Sequence, residues 1–164
     1  THAYISESNG RRIIRFRIEH DGTLADRESV GPDPLGETAF PDGFALDAEG
    51  NVWATIVTQN SLVIITPHGD IHTVFADPNP KAAPALLEAY GSGVMPVRLL
   101  GATAGPTIQL PTSVAFGGPD LQTVYMGSLA MPYLLSFRSP VPGLPLQHQH
   151  PDHPMLKNLL HIGR

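Results

Sequence analysis

The sequence contains no cysteine and no long apolar run, and it has few basic residues. Without cysteine there can be no disulfide framework, no thiolate metal site and no thiol nucleophile. No stretch approaches eighteen consecutive apolar residues, so we expect no membrane span. The compartment stays open, with the cytoplasm favoured over the periplasm or secretion. The net charge is −5 and the arginines of 11–17 lie on a predicted strand, which argues against a nucleic-acid partner.

Turn-forming residues, in contrast, are abundant. The chain has 16 glycines and 17 prolines among 164 residues, whereas about 12% would be usual for the two together. The segments between them are short apolar runs, several of them alternating. Such a composition indicates many turns between short strands, and we therefore predict an all-β fold.

The clearest unit of this fold begins at Phe40. A Pro-Asp-Gly turn leads into an alternating strand, and the turn Asp-Ala-Glu-Gly-Asn connects it to a second strand through Trp53. Two further apolar runs follow at Ser61–Ile65 and Ile71–Phe75. Four up-and-down strands within about 35 residues are typical of one β-propeller blade.

The same order of residues recurs on both sides of this unit. Leu110–Ser128 repeats the proline, the apolar strand, the Gly/Asp turn and an aromatic-bearing strand. Ala3–Ser6 aligns with VWAT and Arg12–Ile18 aligns with SLVII. These repeats favour a propeller over an unrelated β-sandwich. We expect the aromatic residue that heads each unit to lie in the core between blades: Tyr4, Trp53 and Tyr125.

The composition divides the chain into two parts. Residues 1–146 carry the blades, interrupted by an insertion at 76–106 that we expect to close over one face of the sheet. Within it Pro84–Tyr90 could form two helical turns, but prolines and glycines bracket it and its apolar spacing is short. Residues 147–164 form a tail rich in histidine and proline. Imidazoles suit zinc, copper or nickel, but we expect only adventitious affinity from its histidines, His148, His150 and His153.

The segments AYISESNGRRIIRFRIEHDGTLADRESV, FPDGFALDAEGNVWAT, LPTSVAFGGPDLQTVYMGS and SPVPGLPL, in this order, resemble the SMP-30/gluconolactonase family of six-bladed propellers. The resemblance implies one divalent metal at the mouth of the central channel, usually calcium and sometimes zinc. It also implies hydrolysis of lactones or related esters. On this interpretation the chain holds about three blades, the C-terminal half of a propeller.

Three site residues follow from the resemblance. Asp42, in Pro-Asp-Gly, falls on the metal-binding aspartate of the family and would act as a metal ligand and as a catalytic base. Thr112 and Ser113 hold the equivalent position in the next blade and could hydrogen-bond substrate. The family's ligating glutamate and asparagine have no counterpart here, so we interpret the sequence as a fragment. Its partner would then be the missing N-terminal half or a second copy, joined through open blade edges.

Simpler interpretations stay open at each position. Asp42 could be only a turn former, since Asp-Gly is a common turn pair. Asp47, Glu49 and Asn51 are best explained as a hairpin turn at the outer end, and Glu7 as part of a solvated loop. The chain could also be a non-catalytic binding or scaffold propeller, or a truncated product without its own function. The nucleophile-elbow pattern G-x-S-x-G is absent, which sets serine hydrolysis aside.

Overall fold

The structure, a computed structural model, describes residues 1–94 and 96–146. Among these residues ten strands form three antiparallel sheets, and each sheet resembles one propeller blade in its strand order and is called a blade below. The prediction of an all-β propeller is confirmed, including the four strands of the central unit. The first blade contains β1 (His2–Glu7), β2 (Arg12–Ile18) and β3 (Leu24–Ser29); the second contains β4 (Pro41–Leu46), β5 (Val52–Ile56), β6 (Ser61–Ile65) and β7 (Ile71–Ala76); the third contains β8 (Pro111–Gly117), β9 (Thr123–Ser128) and β10 (Leu135–Arg138).

The contacts between sheets show which strand of each blade lies innermost. β4 lies against β8, and β8 also lies against β5. In the same way, β4 lies against β1. β1 therefore takes the place in the first blade that β5 takes in the second, as the alignment of AYIS with VWAT predicts. β4 and β8 are the first strands of their blades, and they meet at the inner side of the stack.

Blade-on-blade packing builds two separate cores. Every residue of β5 is buried, because the first blade covers one face of this strand and the third blade covers the other. The core between the first and second blades contains Ile13, Val30, Ala39, Val52, Ala54, Ile56, Val63 and Ile65. The core between the second and third blades contains Trp53, Leu62, Val114, Val124 and Met126.

The three aromatic residues that head the repeat units do not share one environment. Trp53 is 3% exposed and stacks edge-to-face on Phe116, with ring centroids 5.3 Å apart. Tyr4 is half-buried and packs against Phe44. Tyr125 is 41% exposed, so the prediction of a core position is wrong for this residue. It lies on the face of the third blade that no described residue covers.

The insertion between β7 and β8 contains two helices, α1 (Ala83–Gly91) and α2 (Val97–Ala102). Pro84–Tyr90, for which the sequence left helical turns open, lies within α1. The expectation that the insertion closes over a sheet face is wrong, because Leu86 of α1 packs instead on strand ends, against Phe40, Val57 and Leu110.

Neither described helix has the length and apolar character needed to cross a membrane. The histidines His148, His150 and His153 lie outside the described residues.

Asp47 organises the hairpin between β4 and β5. Its carboxylate is 1% exposed and accepts hydrogen bonds from the backbone N–H groups of Glu49 and Asn51. It also accepts bonds from the Asn51 side-chain amide at 2.8 Å and from the Trp53 indole N–H at 2.9 Å. The interpretation of this acidic cluster as a hairpin turn is confirmed, and the turn also fixes the indole in the second core.

Removing the Asp47 carboxylate should destabilise the fold. Asp47→Ala leaves four N–H donors without their acceptor in a buried turn, and we expect the free energy of unfolding to fall by about 3 kcal/mol. Urea denaturation followed by tryptophan fluorescence measures it. Asp70→Ala, in the exposed turn between β6 and β7, is the control and should change the free energy by less than about 0.5 kcal/mol. Equal effects of the two substitutions would contradict a structural role for Asp47.

Candidate functional site

Asp42 lies at the beginning of the innermost strand of the second blade. The pairing of β4 with β5 shifts between Pro41 and Phe44, so Asp42 and Gly43 bulge out of the regular ladder. Bulges of this kind redirect a side chain and are common next to active sites. Proline is tolerated here because the first residue of a strand need not donate to the ladder. The local sequence therefore turns Asp42 away from its own sheet.

The third blade repeats this arrangement. The pairing of β8 with β9 shifts between Pro111 and Ser113, which places Thr112 where Asp42 lies in the second blade. Thr112 is half-buried and Ser113 is exposed. Because β4 and β8 are adjacent inner strands, Asp42, Thr112 and Ser113 belong to the same end of the stack. The structure thus brings together the strands that carry all three residues predicted for the site.

Gly43 makes the close approach of these strands possible. A Cβ atom at this position would overlap the carbonyl oxygen of Thr112 and come within 2.9 Å of the Cα atom of Ser113. The hydroxyl of Thr55 donates to the Gly43 carbonyl over 3.0 Å, which ties the bulge to β5. A side chain at 43 would separate the second and third blades where the candidate site is located.

The carboxylate of Asp42 is electrostatically uncompensated. No described residue donates a hydrogen bond to it or forms an ion pair with it. Asp42 as a whole residue is exposed, yet partial desolvation raises the pKa of its carboxyl above the ordinary value. Asp120 shows the opposite case. Arg138 donates to Asp120 over 2.6 Å, and this contact, with the backbone N–H of Gln122, lowers the pKa of Asp120 to about 2. Asp42 is thus available for a ligand, whereas Asp120 is already paired.

A hard cation fits this carboxylate, because Asp42 offers oxygen and lacks a protein partner. The described part of the chain contains no cluster of three His, Cys, Asp or Glu side chains that could bind a metal. Asp42 therefore fits as one ligand of a larger set that the described residues do not complete.

The insertion packs directly behind the site, which sequence reasoning did not predict. Leu86 is 1% exposed and belongs to one buried cluster with Phe40 and Leu110. These two residues precede Pro41-Asp42 and Pro111-Thr112, so one leucine supports both bulges. Asn60 adds a second link, since its side-chain oxygen accepts a hydrogen bond from the Leu110 backbone N–H at 2.8 Å.

Asn60 is fully buried and has a φ of 48°. Its side-chain amide also donates to the Thr103 carbonyl at the end of the insertion. Asparagine is one of the few residues that tolerate this left-handed conformation. An asparagine between two apolar runs, in Gln59-Asn60-Ser61, was therefore the sequence signal for this position.

The other acidic candidates do not belong to this site. Glu7 is the last residue of β1 rather than part of a loop, and its carboxylate forms ion pairs with Arg12 and with Arg27, the latter at 3.7 Å. Asp47 follows the last residue of β4, whereas Asp42 is the second residue of this strand. The two aspartates thus lie at opposite ends of β4, and Asp47 is occupied by its turn.

The unpaired Asp42 carboxylate should lower the free energy of unfolding at neutral pH but not at acidic pH. The folded chain binds a proton at Asp42 more tightly than the unfolded chain, because burial raises the folded pKa above the ordinary 3.8. The free energy of unfolding therefore falls as the pH rises from this value through the folded pKa. We expect Asp42→Asn to have a higher melting temperature than the wild type at about pH 7 and an equal one at about pH 3. Calorimetry across this range tests it, and a variant less stable at neutral pH would contradict it.

Comparison with known proteins supports the same fold. Over 126 residues the chain is 25% identical to a 6-deoxy-6-sulfogluconolactonase of Pseudomonas putida. It superposes on a luciferin-regenerating enzyme with a TM-score of 0.57 and 18% identity over 87% of the chain. It superposes on a calcium-binding protein, regucalcin, of Agrobacterium tumefaciens C58 with a TM-score of 0.52 and 18% identity over 80% of the chain. At these identities the two structures show the fold alone.

The chain is shorter than these relatives. The alignment covers 77% of this chain but 33% of the sulfogluconolactonase, and the superpositions cover 43% and 35% of the two solved structures. A family model described as the SMP-30/Gluconolactonase/LRE-like region matches residues 1–87. This range is more than half of the 164 residues and includes β1–β7 with Asp42. The chain therefore belongs to the SMP-30/gluconolactonase/LRE-like family.

Proposed function

We propose that this chain carries part of the active site of a divalent-metal-dependent lactone hydrolase. The observation that carries the proposal is the unpaired carboxylate of Asp42, held on a bulge at the inner end of β4. The hydroxyl groups of Thr112 and Ser113 lie on the corresponding bulge of the adjacent β8. A carboxylate without a protein partner, next to neutral hydrogen-bonding groups, suits a cation and an uncharged polyhydroxy substrate.

Asp42 would hold the cation, with calcium preferred and zinc as the second choice. When bound, such a cation polarises a carbonyl group and stabilises the negative charge that develops on its oxygen. The remaining ligands would come from outside the described residues or from water.

Hydrolysis of a lactone adds the oxygen of water to the carbonyl carbon and breaks the ring carbon–oxygen bond, so that a hydroxy acid is released. One oxygen of Asp42 can bind the cation while the other accepts a proton from the attacking water. Thr112 and Ser113 can hydrogen-bond to the hydroxyl groups of a sugar lactone and orient its ring. The insertion, through Leu86, would hold the two bulges at a fixed separation.

The relatives support this reaction class. The family description includes gluconolactonases, and the relative from Pseudomonas putida acts on a sulfogluconolactone, as its name states. The relative from Agrobacterium tumefaciens is described as calcium-binding. Because the chain spans only about a third of the first of these proteins, a full set of ligands and the activity itself are part of the proposal.

Calcium binding should depend on Asp42. Since a ligand that binds only the folded state raises the apparent stability, we expect millimolar calcium to raise the melting temperature of the wild type but not of Asp42→Asn. If the chain also hydrolyses D-glucono-1,5-lactone, Asp42→Asn should lower the rate at least about 100-fold. Calorimetry and a pH-stat assay give the two readouts.

The matched control for this experiment is Asp70→Asn, an exposed aspartate in the turn after β6. It should keep the full calcium response, because no described feature places it at the inner strands. An equal calcium response in Asp42→Asn and in the wild type would exclude Asp42 as a ligand, whether or not the chain hydrolyses lactones.

The hydroxyl of Thr112 should contribute to substrate binding and not to metal binding. Thr112→Val keeps the shape of the side chain and removes one hydrogen bond, so we expect KM for the lactone to rise roughly threefold to tenfold with the calcium response unchanged. Thr73→Val, on the exposed outer strand β7, is the control. A loss of calcium response in Thr112→Val would show that this residue supports the metal instead.

A further inference from the structure

A cavity lies between the insertion and the strand ends on which it packs. Its volume is about 310 Å³, at the lower end of the range for small-molecule binding sites. One side is formed by the segment before β4, by the turn between β5 and β6, and by the end of β7; the other side is formed by the insertion. Asp42, Thr112 and Ser113 do not line it, so the cavity is distinct from the candidate lactone site.

The composition of the lining restricts the charge of a ligand. No described residue of the lining carries an ionisable side chain. Five of these residues are apolar: Ala76, Pro78, Pro80, Ala83 and Leu86. A charged group that leaves water for such surroundings, without an opposite charge to pair with, loses hydration that nothing replaces. The cavity therefore suits an uncharged ligand with an apolar body.

Two amide oxygens of the lining receive no hydrogen bond from the described residues. The Asn79 side-chain nitrogen donates to the carbonyl oxygens of Ala102 and Ala104, at 3.0 and 3.5 Å. Because only the nitrogen of an amide can donate, the Asn79 side-chain oxygen is the atom that stays available. The Gln59 side-chain nitrogen donates to the Thr38 hydroxyl at 3.1 Å, and no described residue donates to the oxygen of this amide. A ligand with a hydroxyl group can supply the missing donor.

Hydrogen bonds hold both sides of the cavity in place. On the insertion side, Asn79 connects the beginning of the segment to its end, and the Thr103 hydroxyl donates to the Leu100 carbonyl at 2.7 Å. On the strand side, the Thr58 hydroxyl donates to the Thr38 carbonyl. A cavity whose walls are already fixed costs a ligand less ordering than one that must form around it. A ligand can therefore bind here without first ordering its site.

We propose that this cavity binds a small uncharged molecule with an apolar body and a hydroxyl group, such as a cyclic alcohol. The apolar body would lie against Leu86 and the neighbouring alanine and proline side chains. The hydroxyl would donate to the side-chain oxygen of Asn79 or Gln59. Thr58 and Thr103 already use their hydroxyl protons, so they add no further donor to the lining. The inference does not depend on the proposed role of Asp42 or on lactone hydrolysis.

Cyclohexanol is a suitable probe because it combines an apolar ring with one hydroxyl group. In an NMR titration of the 164-residue chain, we expect saturable shifts of the backbone amides of Thr58, Gln59 and Thr103, with a Kd on the order of 1 mM. The amides of Asp42 and Thr112 should not shift. Methoxycyclohexane, which has the same ring but no donor, should bind roughly threefold to tenfold more weakly. Cyclohexanecarboxylate, which is charged at neutral pH, should bind at least about tenfold more weakly than cyclohexanol.

Two substitutions that fill the cavity from opposite sides locate the bound alcohol. Ala83→Met, on the insertion side, and Ala76→Leu, at the end of β7, should each raise the Kd for cyclohexanol at least about tenfold, because the added carbons occupy the volume that the ring needs. The matched control is Ala85→Met, at an exposed position of α1 that does not line the cavity. It should leave the Kd unchanged. The amide spectrum of each variant without alcohol shows that its fold is retained.

Any of four results would overturn the proposal: shifts that do not saturate, equal affinity for cyclohexanecarboxylate, the same Kd in Ala83→Met as in Ala85→Met, or shifts centred on Asp42 and Thr112. The last would assign the alcohol to the candidate lactone site instead. Neither calcium nor a lactone is present in this titration, so its failure leaves the proposed function standing. In turn, the absence of a calcium response would leave the cavity and its ligand class unaffected.

Discussion

The close approach of β4 and β8 is the constraint on which the rest of the structure depends. Two inner strands can meet at this distance only because Gly43 has no side chain against the Thr112 carbonyl. The same contact sets the spacing of the second and third blades, and so the gap that Trp53 and its neighbours fill. It also places the bulges that carry Asp42 and Thr112 side by side. Packing and site geometry thus have one common origin.

Residues of the insertion and Asn60 stabilise the bulges of β4 and β8. A bulge lacks part of its ladder and needs support from elsewhere. Leu86 supplies apolar contact to the residues before both bulges, and Asn60 supplies a hydrogen bond to the backbone of Leu110. Both residues are essentially buried. The segment between β7 and β8, which breaks the repeat in the sequence, therefore acts as a structural part of the candidate site.

The repeat made the blades and their strand order predictable, because period-2 alternation and Gly/Asp turns are local signals. Asp42 was predicted from the family motif, and Thr112 and Ser113 from the equivalent position in the next repeat; the structure places the strands that carry them side by side. Three features were not predictable. The exposure of Tyr125 depends on what covers the third blade, the seating of Leu86 on strand ends depends on tertiary packing, and the partners of Asn60 are separated from it by 43 and 50 residues.

The contrast between Asp42 and Asp47 is the strongest physical argument for a site. Both belong to the hairpin that begins at Pro41, and both are aspartates in turn-forming sequences. Asp47 is buried and satisfied by four N–H donors, as a structural carboxylate must be. Asp42 is an exposed residue with no described partner, and partial desolvation raises the pKa of its carboxyl. A carboxylate left unpaired on an inner strand is explained if its partner is a ligand, since shifted pKa values cluster at functional sites.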